Sequence, residues 1–132
     1  MGSSKERNSF LLTLNYYLYK IFKNNGFFMK IENSIVEIQK LVNNWIVEHG
    51  GYWPPLSMIC AIMEELGEVA REVNSLEGYK PKKSERKNTN LGEELADLLF
   101  SIICIANHYK IDLGKELINT FNKYAERDSN RF

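Results

Sequence analysis

The sequence predicts an all-α protein, a helical bundle of about four core helices, and three observations carry that reading. Apolar residues recur every three or four positions over four separate segments. No stretch of any length alternates apolar and polar residues as a half-buried strand would. Between the segments stand residues that stop or start helices: Gly50 and Gly51 with Pro54 and Pro55, the polar run from Gly78 to Thr89, and Asp112.

Taken in order, Ile31, Ile35, Ile38, Leu41, Val42, Trp45 and Ile46 give a first helix, placed after Asn33 and Ser34 and ending near Glu48. Pro54 and Pro55 open a second helix to about Leu76, because proline fits the first turn of a helix, where its missing N–H has no partner to lose. Its apolar side is Leu56, Ile59, Met63, Leu66, Val69, Ala70 and Val73, and its other side is acidic. The stretch GYKPKKSERKNT reads as a solvated connection. Asn90, with Glu93 three residues on, resembles a capping box and starts a third helix through about Tyr109. From Leu95 to Ala106 this helix is apolar nearly all round, which predicts a central, buried element. Asp112 caps a fourth helix whose inward stripe is Leu113, Leu117, Ile118, Phe121 and Tyr124.

At 132 residues the chain suits one compact domain. Residues 1 to 28 read as an N-terminal extension, helical or flexible, ahead of a domain spanning 29 to 132. The apolar segment from Phe10 to Phe22 follows Lys5 and Arg7 as a signal segment might, but it is too short to span a membrane and no small-residue cleavage site follows. Lysine plus arginine equals aspartate plus glutamate at 17 each, so no overall field favours nucleic acid or a membrane surface. Cys60 and Cys104 lie in apolar helical contexts without zinc spacing, and read as small core residues of a cytoplasmic protein.

The acidic residues carry the chemistry. Glu64, Glu65 and Glu68 fall within about one turn of the second helix, with Glu72 a turn further. Alone, such a run is most simply a solvated face. The third helix changes that weighing, since Glu94 and Asp97 sit at i and i+3 where nearly everything else is apolar. Carboxylates in such a setting need a cation or donors to offset desolvation. The third helix has no lysine or arginine, and the second has only Arg71, beside Glu72. Two acidic pairs on two helices make an all-oxygen site that suits magnesium or manganese rather than zinc.

The pattern EELGE at Glu64 to Glu68 followed by ELAD at Glu94 to Asp97 resembles the EExxE and ExxD motifs of the MazG-like, all-α nucleoside triphosphate pyrophosphohydrolases of single-domain type. Likeness extends through EELGEVAREVN, the KPKK loop, EELADLLFSIICIAN and the KYAERDSNRF ending, from about Met29 to Phe132. The resemblance implies that Glu65, Glu68, Glu94 and Asp97 hold Mg2+, or Mn2+. It implies cleavage of (d)NTP to (d)NMP and pyrophosphate, a role in nucleotide pool cleansing, and a homodimer or homotetramer. Glu64 and Glu68 are the candidates for the catalytic carboxylate that accepts a proton from the attacking water.

Triphosphate binding also needs donors. Lys123 and Arg127, at i and i+4 near the end of the last helix, lead that set with Arg131, followed by Lys83 of the basic loop. Trp53 and Tyr79 are candidate base-stacking groups, set against the plainer reading that both simply pack. His108 lies too far along the third helix from Asp97 to share a magnesium shell. Two other classes compete with this reading. A non-catalytic helical module for nucleotide or protein binding would use a solvated acidic face, which the apolar third helix argues against. A carboxylate di-iron bundle needs ExxH on two helices, and the sequence has none.

Overall fold

The computed structural model describes Lys20, residues 27–80 and residues 90–129. Four helices follow in order: α1 (Phe27–Glu48), α2 (Pro55–Leu76), α3 (Leu91–His108) and α4 (Leu113–Ser129), with no strand among the described residues. The all-α reading therefore holds. The expected boundary between residues 28 and 29 falls inside α1, which begins at Phe27 rather than after Asn33 and Ser34. No glycine or proline interrupts the backbone between Gly26 and Gly50, so the helix continues through the two residues expected to cap it. The remainder of the N-terminal extension, and the extra helix considered for it, lie outside the described residues apart from Lys20.

The chain divides into two compact units, Ile38–Ile111 and the remainder, Met1–Glu37 with Asp112–Phe132. Within the first unit, local chemistry sets the helix ends. Gly50, at φ 104°, and Gly78, at φ 79°, take the left-handed conformation that closes α1 and α2, allowing Gly51 N–H to reach Ile46 C=O at 2.9 Å and Tyr79 N–H to reach Asn74 C=O at 3.0 Å. The same closure ends α3 with Lys110 at φ 56°, where Ile111 N–H donates to Ala106 C=O at 2.8 Å. At the start of α3, the Asn90 side chain accepts from Glu93 N–H at 2.8 Å, as the capping pattern predicts. Gly92 leaves room for that cap, since a Cβ there would lie 3.1 Å from Asn90 Oδ1.

Helices α2 and α3 pack together and run antiparallel: Tyr52, ahead of α2, meets His108 at the end of α3 with ring centroids 6.2 Å apart, while Glu65 in mid α2 lies beside Glu94 and Asp97 near the start of α3. The later part of α1 is tied to α3 by a reciprocal amide pair. Gln39 Nε2 donates to Asn107 Oδ1 and to Ile111 C=O, and Asn107 Nδ2 returns a bond to Gln39 C=O, all at 2.9 Å. Gln39 is buried, so these bonds satisfy polar atoms that would otherwise be stranded away from water. Edge-to-face contact of Trp45 with Phe100 continues the same seam.

Burial corrects three expectations. The predicted apolar side of α2 is largely exposed, with Leu56, Met63 and Leu66 at 75%, 67% and 55%, whereas the buried residues of that helix are Met58 and Glu72. Its acidic side is the one turned toward α3. Likewise α3 is not buried all round: Ile103, Cys104 and Ala106 are buried, but Leu95, Leu99 and Phe100 are exposed. Cys60 is exposed on α2, and of the two cysteines Cys104 alone is a core residue. Periodicity finds the apolar stripe of a helix but not what covers it. Here Glu72 of α2 and Glu94 of α3 are buried beside the apolar Met58, Ile103, Cys104 and Ala106.

In the second unit, α4 starts as predicted at Asp112. Its Oδ1 accepts from Lys115 N–H at 2.9 Å, and its C=O accepts from Glu116 N–H at 3.1 Å. Gly114 is the buried residue of that helix.

Candidate metal centre

The helix geometry brings three of the predicted ligands to one point. One carboxylate oxygen each from Glu65, Glu94 and Asp97 lies within 4.8 Å of the other two. Glu65 comes from the middle of α2, three turns after the prolines that start it. Glu94 and Asp97 come from the first two turns of α3, one turn apart on the same side. The Asn90 cap fixes where α3 begins, and thereby the height at which Glu94 and Asp97 meet Glu65. Glu94 is buried at 6% exposure, Glu65 is half-buried and Asp97 is open to solvent, so the cluster sits at the rim of the interface between α2 and α3.

Three carboxylates this close repel one another. Burial pushes the Glu65 pKa above its usual value, and the charges of Asp97, Glu64 and Glu94 push it in the same direction. The donors are all hard anionic oxygens, without sulfur or imidazole, and their mutual repulsion is what a small divalent cation relieves. The residues present therefore fit an ion of the magnesium or manganese class.

Glu68, the fourth expected ligand, is not in the cluster. Its Oε2 is paired in charge with the Arg71 guanidinium one turn on. Sequence reasoning set Arg71 beside Glu72. In the fold Glu72 instead points inward, 2% exposed and partnered within the structure. Neither the burial of Glu72 nor the engagement of Glu68 is visible in a pattern of charges. Glu64 is exposed and acts on Glu65 through its charge, and Glu93 is exposed in the first turn of α3.

The candidate substrate groups fall on several parts of the chain. Trp53 is 67% exposed ahead of α2, about three turns of helix from Glu65. Lys123 and Arg127 lie on α4 in the other unit, where both stand against the Tyr124 ring and Arg127 Nε donates to Asp128 at 2.9 Å. Lys83 and Arg131 lie outside the described residues. His108 is an exposed helix-end residue between Tyr52 and Tyr109, as its position predicts.

An all-α fold whose paired helices converge acidic side chains on one point has the architecture of a carboxylate metal site. Residues 54–132 match the family described as MazG nucleotide pyrophosphohydrolase domain, and the chain belongs to that family. It is 37% identical over 102 residues to YpjD, an uncharacterised protein of Bacillus subtilis (strain 168), across 76% of this chain and 92% of YpjD. The crystal structure of Bacillus subtilis YpjD superposes with a TM-score of 0.61 at 38% identity, covering 68% of this chain and 93% of that one. The Bacillus-conserved MazG protein, a nucleotide pyrophosphohydrolase, superposes with a TM-score of 0.58 at 37% identity over 68% of this chain and 87% of that one. The protein is accordingly a hydrolase acting on the pyrophosphate bonds of nucleotides.

Proposed function

We propose that the protein hydrolyses nucleoside or deoxynucleoside triphosphates to the monophosphate and pyrophosphate with Mg2+, or Mn2+ in its place, held by Glu65, Glu94 and Asp97 and, once loaded, by Glu68. The observation that carries this reading is the convergence of the three carboxylates from two helices onto one point. A divalent cation bound there would neutralise phosphate oxygens and acidify water. The chain's own residues do the rest. Glu94, buried on α3 beside Glu65 of α2, and Asp97 would hold the cation and through it set the position of the charged end of the substrate. Glu64, exposed beside the cluster, is the proposed proton acceptor for the attacking water, since Glu68 would be taken up by the cation in the loaded site. Lys123, Arg127, Lys83 and Arg131 remain proposed donors to the triphosphate.

The same reading includes self-association. Leu56, Met63 and Leu66 on α2 and Leu95 and Leu99 on α3 are large apolar side chains exposed in a single chain, the kind of surface a partner copy covers. A homodimer or homotetramer covers it. No helix among the described residues is long and apolar enough to cross a membrane. A cytoplasmic role in cleansing the nucleotide pool completes the proposal.

Product identification tests it. The purified chain is incubated with a panel of ordinary and modified nucleoside triphosphates and Mg2+, and the products are separated by ion exchange. Monophosphate plus pyrophosphate is expected for at least one substrate. Diphosphate plus orthophosphate, or no turnover by folded protein, would overturn it.

A further inference from the structure

Arg71 is the only lysine or arginine on α2 and α3, the two helices that build the metal centre. It is spent on Glu68, a carboxylate that family resemblance assigns to the metal, and the two side chains are 34% and 32% exposed. An ion pair that is part-exposed is weakly held and separable. Glu68 stands one turn from Glu65, and Arg71 one turn beyond it, so an arginine side chain leaving Glu68 stays beside the cluster. The substrate that arrives there carries several negative charges into a site already holding Glu65, Glu94 and Asp97, with Glu64 beside them. A planar guanidinium is the group best suited to meet phosphate oxygens in pairs.

We infer that Arg71 is an exchangeable counter-ion: it neutralises Glu68 until a divalent cation takes that carboxylate, and it then turns its guanidinium to the triphosphate. It is a positioning residue in the first state and a phosphate ligand in the second. This rests on the pyrophosphohydrolase reading above and adds to it a coupling between metal loading and substrate binding. The two states make opposite demands on one side chain, which separates this role from simple packing.

The test is a calorimetric titration of Mn2+ alone into wild type, Arg71→Met and Arg71→Lys, together with KM and kcat for a triphosphate that wild type turns over. Met keeps much of the side-chain stem, and circular dichroism confirms that each variant is folded. Loss of the guanidinium frees Glu68, so Arg71→Met binds Mn2+ about three- to fivefold more tightly than wild type, the scale of a part-exposed ion pair. Its KM rises about tenfold, the scale of a lost charge-assisted contact. Arg71→Lys falls between on both readouts. In a Glu68→Gln background, Arg71→Met no longer tightens Mn2+ binding, because the pair it would release is already gone. Metal affinity that is unchanged or weaker in Arg71→Met, with wild type active, overturns the exchange and leaves the pyrophosphohydrolase reading standing. Wild type that neither binds Mn2+ nor turns over any triphosphate overturns both.

Discussion

At the scale of single residues, Glu65 is the most informative position, because its environment is shaped by the other members of the site. Its folded pKa lies above its ordinary value, through burial first and then the charges of Asp97, Glu64 and Glu94. A carboxyl with a raised folded pKa opposes folding once the pH exceeds that pKa, and the opposition disappears as the pH falls to the unfolded value. Metal-free protein therefore gains stability from this residue on acidification from neutrality toward the ordinary carboxylate range. Thermal melts in chelator should show that gain, and Glu65→Gln should flatten it. With Mg2+ present the sign reverses, since the cation binds the ionised form and its stabilisation grows as pH rises. Equal pH slopes for wild type and Glu65→Gln in chelator would show that the cluster charges do not act on this side chain. Much of this was legible in the sequence: EELGE and ELAD name Glu65, Glu94 and Asp97 before any geometry is known. The engagement of Glu68 by Arg71 was not, because i to i+3 and i to i+1 partners of one arginine compete and only the folded side-chain directions decide between them.

At the scale of elements, the starts and stops of the helices set the site. The Asn90 cap and the prolines before α2 determine which turn of α3 faces which turn of α2, and so whether Glu94 and Asp97 meet Glu65. Asn90→Ala removes the acceptor for Glu93 N–H and should cost about 1 kcal/mol of stability. Fraying of the first turn also loosens Glu94, so metal affinity should fall with it, measured by the same Mn2+ titration. A variant that lost stability but kept full metal affinity would show that the cap does not position the site. These caps were readable because they are local: asparagine or aspartate three residues ahead of a free N–H is a sequence pattern as well as a structure. The facing of α2 was not readable. Its apolar stripe predicts burial within the protomer, whereas Leu56, Met63 and Leu66 lie outside and Glu65 and Glu72 turn inward. Periodicity reports the width and direction of a stripe relative to its own helix, and the partner that covers it lies beyond that information.

At the scale of the whole molecule, the inverted facing of α2 and the cluster of carboxylates belong together. A helix that commits its polar face to a metal site must cover its apolar face elsewhere, and an oligomer of like chains is the covering proposed here. Light scattering coupled to size exclusion should give a mass of two or four protomers. Leu66→Lys, which places a charge in the exposed stripe, should shift that mass toward the protomer and lower the melting temperature. A protein that is monomeric at assay concentrations and equally stable with Leu66→Lys would contradict the proposal. Legibility at this scale was partial. The all-α class followed from periodicity, while the division of the chain at Ile38 and Ile111, with Lys123 and Arg127 falling outside the unit that holds the carboxylates, had no counterpart in the pattern of residues.

The most direct test of the central claim is the rate of pyrophosphate release from a turned-over triphosphate at saturating Mg2+, comparing wild type with the Glu65→Gln, Asp97→Asn double variant. Removing two of the three converging carboxylates should lower the rate by at least about a hundredfold in a protein that remains folded, as expected when the group that stabilises developing charge is lost. A folded double variant that releases pyrophosphate at a rate close to wild type would show that Glu65 and Asp97 do not hold the metal that drives the reaction.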